Sequence, residues 1–394
     1  MKPQAKHGSC PRGTPWGRLL AAAVLAGLAM PMAWSAPYIP GNDSEVLAEL
    51  PQGVHHSASV QNDQARRSID VAVPLAQFYI NRARATGDLR FLGYAENTLD
   101  PWIHKPPVMS RVMVLHATIL QSRHDFTDSL KELDEDLKSN PSDGQAWLTR
   151  ATVLRVLGRY DEALDSCKQM APHTEPAVAT MCEQTVRALT GHLQAAYDSV
   201  VNVKFQSAFP DLLAWRCSEL GEMASHLGHD EDAERWFREG LSLAPDDFYM
   251  RSALADVLLQ HDRAAETLQL LAGYETQEPM LLRIALAHDA LKDAQGDESR
   301  AYLGNAFQVE EQRGEAVHRR EQARFLLDVM HQPAAALAAA QEDWKTQREP
   351  ADILILLRAA QAAHEPGAAK PALKFIQQAH LEDARLDAVK AALQ

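Results

Sequence analysis

The stretch that decides the fold reads LGHDEDAERWFREGLSLAPDD from Leu227 to Asp247, and it has an earlier counterpart. From Leu157 to Pro172 the chain reads LGRYDEALDSCKQMAP. Both stretches begin with Leu-Gly, continue through acidic residues to an Ala, and place an aromatic or nonpolar residue four positions after that Ala. One pattern that recurs within a chain predicts an internal structural repeat.

The repeat has a period of 34 residues. Segments with the same pattern begin at Ser110 and Gly144, which are 34 positions apart, and again at Ala214 and Phe248, which have the same spacing. A weaker unit begins near Ala177 and divides the interval between Gly144 and Ala214. The predicted units are therefore 110–143, 144–176, 177–213, 214–247 and 248–274.

The pattern resembles the tetratricopeptide repeat, in which W-x2-L-G-x2-Y is followed by A-x3-F and then by Pro. The unit that begins at Gly144 has matching residues at Trp147, Ala151, Leu154, Gly158, Tyr160 and Ala163. The unit that begins at Ala214 matches at Leu220, Gly221, Ala233, Phe237 and Pro245. It departs from the pattern where Cys217 stands for Trp and Ala224 stands for Tyr.

The resemblance implies an all-α protein, built as a right-handed α-solenoid of stacked antiparallel helix pairs. Small residues such as Ala151 and Gly221 then stand where the two helices of a pair approach closely. One pair cannot bury its nonpolar face alone, so the pairs must stack. Nonpolar periodicity further predicts an atypical helical hairpin at 68–109, and degenerate hairpins with a C-terminal cap at 275–394.

The first 35 residues have the order of a secretory signal peptide. Four basic residues precede the nonpolar run LLAAAVLAGLAM at Leu19–Met30, and small residues follow near Ser35. We expect cleavage there, export to the periplasm, and a flexible leader over 36–67. The run is short for a membrane helix, so no span is expected after cleavage. The alternative is an inner-membrane-anchored scaffold that retains this run as its anchor.

The charge of the chain is unfavourable for binding nucleic acid. The 394 residues carry a net charge of −14, and removal of the four basic residues of the signal peptide leaves 35 basic and 53 acidic residues, a net charge of −18. Nucleic acid binding depends on clustered cations that neutralise phosphates. We therefore expect no nucleic acid partner.

Sequence motifs that mark enzymes and metal sites do not occur in the chain. HExxH, GxSxG, GxxxxGK[ST], GxGxxG and paired CxxC are all missing from the sequence. The nearest metal-like spacing, His226-x-x-His229, has no Cys nearby, and we interpret it as a solvated turn. The sequence therefore predicts a non-enzymatic protein with no cofactor and no metal site.

Three cysteines remain after the predicted cleavage. Cys167 falls in the second helix of one unit and Cys182 in the first helix of the next, and these helices are neighbours in a stack. Export to an oxidising space makes a Cys167–Cys182 disulfide one hypothesis; free buried thiols are the other. Cys217 is expected to be the unpaired cysteine.

The resemblance also implies where a partner binds. In tetratricopeptide proteins the first helices of successive units line a concave surface that takes a peptide or a partner protein. On this chain the inward-pointing residues would be Arg111, Val114, Thr118, Gln121, Gln145, Leu148, Thr152, Arg155, Trp215, Glu222, His226, Tyr249, Ser252 and Asp256. Arginines can pair with a carboxylate, and Trp and Tyr are suitable anchors. The alternative is an ordinary solvated inner surface.

Six histidines fall in the turn between the first and second helix of a unit. They are His124, His192, His229, His261, His331 and His364. On one interpretation they complement the helix dipole and the unpaired carbonyls at helix C-termini. On the other they form an edge that gains positive charge as the pH falls toward about 6.5.

Overall fold

A computed structural model describes residues 64–206, 209–275, 277–313 and 318–393. The predicted signal peptide and residues 36–63 of the predicted leader lie outside these ranges. Within them all regular structure is helical, which confirms the predicted all-α class. No helix in the described ranges combines the length and the hydrophobicity that a bilayer crossing requires.

The first six hairpins contain twelve α-helices. Their bounds are α1 Ile69–Thr86, α2 Arg90–Ile103, α3 Ser110–Ser122, α4 Phe126–Ser139, α5 Gly144–Val156, α6 Tyr160–Met170, α7 Pro176–Arg187, α8 Leu193–Val201, α9 Pro210–His226, α10 Asp230–Leu243, α11 Phe248–Gln260 and α12 Ala264–Leu270. A short 3-10 turn, Ala171–His173, follows α6.

Three further hairpins and a single helix complete the described chain. They are α13 Glu278–Leu291, α14 Gly296–Arg313, α15 Arg319–Arg324, α16 Pro333–Asp343, α17 Pro350–Ala362, α18 Pro366–Ala379 and α19 Ala384–Leu393. A π-helical turn, Phe325–Val329, extends α15. This arrangement sets the pairing of helices after residue 274, with α13 to α18 as three pairs and α19 as the cap.

The observed helix starts follow the sequence period with one offset. α3, α5 and α11 begin at Ser110, Gly144 and Phe248, where predicted units begin. α9 begins at Pro210 rather than at Ala214. The earlier start is explained by Pro210 itself, because proline fits the first helical position, where its missing N–H is not needed.

Aspartates that follow a proline fix two of the helix starts. The Ala146 backbone N–H donates to the Asp143 carboxylate at 2.9 Å, and the Met250 N–H donates to Asp247 at 2.8 Å. A carboxylate at this position satisfies an N–H that has no partner inside the helix and complements the positive helix end. The Pro-x-Asp sequences before α5 and α11 therefore specify where these helices begin.

Helix pairs approach closely at glycine. A Cβ atom added at Gly221 on α9 would overlap the ring of Phe237 on α10, and one added at Gly240 on α10 would overlap the Met250 sulfur on α11. Ala163 and Ala233 are fully buried in the same kind of contact. The small residues of the repeat pattern are thus required by the distance between neighbouring helices.

A disulfide joins two successive hairpins. Cys167 on α6 and Cys182 on α7 are bonded, with their Cα atoms 5.6 Å apart. Both residues are buried, and Cys217 on α9 is a buried free thiol. The bond links the end of one hairpin to the start of the next.

The last residues of the predicted leader contact the first hairpin. Residues 64–67 form a helical turn in which Ala65 is buried, and Trp102 Nε1–H donates to the Ala65 carbonyl at 3.0 Å. The hydrogen bond and the burial of Ala65 hold this turn against the end of α2. The leader over 36–67 stays a prediction, because residues 36–63 lie outside the described ranges.

The C-terminal helices pack against the turns of the middle hairpins. The Arg348 N–H donates to the Val156 carbonyl at 2.8 Å, and the Leu193 N–H donates to Glu382 at 2.9 Å. The ring of Phe375 on α18 lies against Gly158 in the α5–α6 turn. Earlier in the chain, Phe248 lies against Gly87 in the α1–α2 turn. The solenoid thus turns back on itself and encloses an interior.

Candidate partner-binding interior

Two adjoining cavities lie on the inner side of the solenoid. The inner groove, defined by Arg84, Gln121, Gln145, Leu148, Thr149, Ala151, Thr152, Arg155, Cys182, Thr185, Val186, Trp215 and Glu219, has a volume of about 300 Å³. The central cavity has a volume of about 680 Å³ and extends from the α1–α2 turn to α19. Gln121, Arg155, Thr185 and Glu219 line both cavities, which therefore share a wall.

Most residues predicted to point inward line one of these cavities. Gln145, Leu148, Thr152 and Trp215 line the inner groove, and Gln121 and Arg155 line both cavities. The central cavity contains Glu222, His226, Tyr249, Ser252 and Asp256. The helix register of the repeat thus brings eleven of the fourteen predicted positions to one continuous surface.

Three predicted residues on α3 line neither cavity. Val114 is buried against α4 and α5 in the cluster that contains Leu133, and Thr118 is also buried, with its hydroxyl donating to the Val114 carbonyl at 2.7 Å. Arg111 pairs with Asp70 of α1 at 2.9 Å. The predicted inner surface is corrected here, because α3 lies between α1 and α5 and these side chains pack against neighbouring helices.

Glu219 organises the wall that the two cavities share. It accepts from Arg155 Nη1 at 3.1 Å and from Trp215 Nε1–H at 3.1 Å. Its negative charge raises the pKa of Arg155, so the guanidinium stays cationic despite burial. Sequence reasoning missed Glu219, whose only local signal is its position one helical turn after Trp215.

Arg84 is the contrasting cation of the inner groove. It lies on α1 with an exposed side chain, and no ion pair joins it to a carboxylate in the described part of the chain. The surrounding cavity walls desolvate the guanidinium and lower its pKa, although solvent still reaches the side chain, and the charge of Asp247 partly offsets this shift. The groove therefore offers an arginine whose hydrogen-bond donors are available to an incoming group.

The arginines of the central cavity are paired with carboxylates. Asp256 on α11 contacts Arg283 on α13 at 2.6 Å and Arg324 on α15 at 2.7 Å. Burial alone would raise the pKa of Asp256, but the two arginines outweigh it and the pKa is lowered. Further pairs are Arg358 with Asp328, Arg385 with Asp383 and Arg320 with Asp352. The two pairs of Asp256 join α11 to α13 and α15, and the other three pairs lie among the C-terminal helices.

Two cavity histidines are neutral near pH 7. Burial, together with the positive charge of Arg385, lowers the pKa of His226 to about 4. Burial and Arg320 lower the pKa of His124 to about 4. His124 lies in a turn between helices, as expected, but its lowered pKa is opposite to what the pH-sensitive edge hypothesis requires at that position.

Tyr249 presents an aromatic ring to the central cavity. Its side chain remains 52% exposed although it lines the cavity, so the ring contacts the space inside rather than the core. Desolvation of the hydroxyl by the surrounding cavity walls, reinforced by the charge of Glu222, raises its pKa well above the usual value although the ring remains accessible. Tyr249 is thus a neutral aromatic side chain available for contact with a bound group.

A set of metal-ligating side chains that the sequence did not reveal lies near the central cavity. Glu278, Glu310 and His318 each place one ligand atom within 4.8 Å of the others. His318 lines the central cavity beside Arg320. Their irregular separation along the chain has no motif signature, and only the packing of α13, α14 and α15 brings them together.

No protein-family model matches the chain, and no curated protein matches it. Solved structures with a similar arrangement include PilW, a type IV pilus biogenesis factor, with 20% identity, a TM-score of 0.38 and coverage of 50% of this chain and 94% of that one. A tetratricopeptide repeat protein from Parabacteroides merdae has 12% identity, a TM-score of 0.32 and coverage of 75% and 99%. A human IFIT1 dimer solved with m7Gppp-AAAA has 10% identity, a TM-score of 0.45 and coverage of 82% and 93%.

At these identities and TM-scores, the solved structures carry no conclusion about what this chain binds. The fold is established by the helices themselves, through their 34-residue spacing and the close approach of helix pairs at small residues such as Gly221. The described chain is an all-α solenoid of tetratricopeptide type.

Proposed function

We propose that this protein is a non-enzymatic protein–protein interaction scaffold that holds a segment of a partner protein in its interior. The observation that carries the proposal is the continuous surface formed by the inner groove and the central cavity. It presents an available arginine, Arg84, together with the aromatic side chains of Trp215 and Tyr249. Arg, Trp and Tyr are the residues that contribute most to protein interfaces.

The polar lining of the inner groove suits an extended peptide. Gln121, Gln145 and Thr152 place amide and hydroxyl groups along neighbouring helices. Side-chain amides both donate and accept hydrogen bonds, so they can pair with the N–H and C=O groups of a peptide backbone. Nonpolar contact comes from Leu148 and Trp215, and Arg84 favours an acidic residue in the peptide.

Nucleic acid is excluded from the proposal on electrostatic grounds. Arg283, Arg324, Arg358 and Arg385 are each paired with a carboxylate, so the interior lacks the excess of cations that phosphates require. The whole chain is acidic, with a net charge of −14. IFIT1 was solved with a capped RNA, so the binding experiment below includes an RNA arm.

We propose that the protein acts in the periplasm. The N-terminal segment has the order of a signal peptide, and the Cys167–Cys182 disulfide suits an oxidising compartment. The alternative is a scaffold anchored in the inner membrane by Leu19–Met30. The mass of the mature N-terminus decides between them: loss of about the first 35 residues supports export and cleavage, and an intact N-terminus supports the anchor.

Photo-crosslinking from inside the cavity tests partner binding. A photoreactive phenylalanine analogue at Tyr249, expressed in the native cell envelope, should crosslink to a protein partner. Arg84→Glu and Trp215→Ala should each reduce the crosslink several-fold, since each removes a groove contact. Arg82→Glu is the matched control, because Arg82 lies on the same helix and lines neither cavity.

Two outcomes would overturn the proposal. One is a crosslink that persists unchanged in both Arg84→Glu and Trp215→Ala while both variants remain helical by circular dichroism. The other is crosslinking of the purified protein to a single-stranded RNA oligonucleotide that competes with the protein partner. Loss of the crosslink in Arg82→Glu as well would also count against the groove as the binding surface.

A further inference from the structure

Glu278, Glu310 and His318 converge from three successive helices. Glu278 is the first residue of α13, Glu310 lies in the last turn of α14, and His318 immediately precedes α15. His318 Nδ1 lies 2.7 Å from Glu310 Oε1 and 3.3 Å from Glu278 Oε2. The three side chains are 16% to 24% exposed, so they lie largely inside the protein but remain in reach of solvent.

The spacing of these atoms is compatible with ligands around a metal ion. Ligands that each lie about 2.0–2.2 Å from a tetrahedral zinc ion are separated from one another by roughly 3.3–3.6 Å. The N···O distance of 3.3 Å between His318 and Glu278 already has this value, and the distance of 2.7 Å between His318 and Glu310 is shorter. A dication at the centre of the three atoms therefore requires Glu310 and His318 to move apart by less than about 1 Å.

One carboxylate oxygen in this set lacks a hydrogen-bond partner. Glu278 Oε2 is shielded from water and accepts no hydrogen bond, although it faces the imidazole and a second carboxylate. A buried acceptor without a partner costs about 1–3 kcal/mol, and more when it is charged. The single Nδ1–H of His318 points best at Glu310, so it leaves Glu278 Oε2 unsatisfied. A dication can satisfy both carboxylates at once.

We propose that Glu278, Glu310 and His318 form a binding site for a divalent first-row transition metal of the Zn²⁺ class. An imidazole nitrogen together with carboxylates favours such metals over Ca²⁺ and Mg²⁺, which prefer oxygen ligands alone. Three protein ligands leave at least one coordination position for water or for a group of a bound partner. Because His318 lines the central cavity, the site is reached from that side.

Metal binding has a mechanical consequence for the fold. The ion would tie the end of α14 to the starts of α13 and α15, across the chain segment that joins α14 to α15. Binding to the folded state alone raises its stability by mass action. The metal-bound protein should therefore unfold at a higher temperature than the metal-free protein.

Calorimetric titration of the metal-stripped mature protein with Zn²⁺ tests the site. At about pH 7.5 the heats should report one tight site. His318→Gln and Glu310→Gln should each weaken binding by at least about tenfold, the effect that even outer-shell changes produce. His331→Gln is the control, because that histidine lies in a different turn.

Equal Zn²⁺ affinity in His318→Gln and the wild type would overturn the proposal, as would the lack of a tight site in the wild type. Circular dichroism confirms that each variant is folded. Thermal unfolding gives a second measurement: added Zn²⁺ should raise the midpoint of the wild type and of His331→Gln, and should leave that of His318→Gln unchanged. An equal rise in all three would show that the ion binds elsewhere.

Discussion

Asp343 is a buried carboxyl group whose pKa is strongly raised. Its side chain is buried on α16, where Gln347 Nε2–H donates to Oδ1 at 2.8 Å and Oδ2 has no hydrogen-bond partner. Burial, together with the negative charge of Asp352, raises its pKa to about 9. The buried carboxylates around Arg320 thus outnumber the cations that can pair with them, and one of them keeps its proton at pH 7.

Because folded Asp343 keeps this proton, the free energy of unfolding depends on pH through this residue. The folded-state pKa lies above the value of about 4 in an unfolded chain, so the contribution of Asp343 to stability is complete below about pH 4 and is lost as the pH rises toward 9. Asp343→Asn, which cannot ionise, should add about 1–3 kcal/mol to the free energy of unfolding at pH 8. Its advantage over the wild type should shrink at pH 5.

Urea unfolding at pH 5 and pH 8 measures this difference. Asp297→Asn is the matched control, because that carboxylate is 76% exposed and its removal should leave the pH dependence unchanged. If Asp343→Asn and the wild type lose the same stability between the two pH values, Asp343 is ionised throughout and the raised pKa is wrong.

Individual helices show which parts of the repeat pattern are required. Gly221 and Gly93 both lie inside helices, yet a Cβ at Gly221 would overlap Phe237 whereas one at Gly93 would meet no atom within 4 Å. The glycine in the repeat pattern is therefore a contact between helices, and the other is a position without steric demand.

Alanine at the two glycines should have opposite effects. Gly221→Ala should lower the free energy of unfolding by about 1–3 kcal/mol, because α9 and α10 must move apart. Gly93→Ala should raise it by about 0.5–1 kcal/mol, because glycine is unfavourable inside a helix. Thermal or urea unfolding of the two variants measures both changes in stability. A Gly221→Ala protein as stable as the wild type would show that the α9–α10 contact tolerates the added carbon.

The element boundaries were predictable to the extent that they have local causes. The Pro-x-Asp sequences before Gly144 and Phe248 specify helix starts, because each aspartate accepts a hydrogen bond from the backbone N–H three residues later. The sequence alone therefore locates these starts. The start of α9 differs because a proline upstream of the repeat pattern extends the helix. The prediction that Val114 and Thr118 face inward was wrong. The sequence of α3 alone does not reveal that α1 and α5 lie on either side of it.

At the scale of the whole molecule, the decisive contacts join residues far apart in sequence. Val156 and Arg348 share a backbone hydrogen bond, and the Tyr160 and Phe375 ring centroids are 5.8 Å apart. No periodic pattern encodes such pairs, which explains why the sequence predicted an open concave surface and missed the enclosed interior. The ion pair of Glu219 with Arg155 was missed for the same reason.

Loss of Phe375 should destabilise a hairpin more than two hundred residues earlier in the chain. Phe375→Ala removes the ring that lies against Gly158, so the α5–α6 turn loses its cover and the free energy of unfolding should fall by about 1–3 kcal/mol. Hydrogen exchange should accelerate at the amides of Gly158 and Arg159 as well as in α18.

An exposed aromatic side chain provides the control for this variant. Phe78→Ala removes a ring that is 55% exposed on α1, and exchange in the α5–α6 turn should not change. Faster exchange confined to α18 in Phe375→Ala would mean that the C-terminal helices rest on the middle hairpins without stabilising them.

The contact between Gly87 and Phe248 joins the first hairpin to the sixth. On the proposed function, a partner segment would not enter between these two hairpins while this contact is intact. Replacing Phe248 with a smaller residue should then speed both the binding and the release of the partner segment.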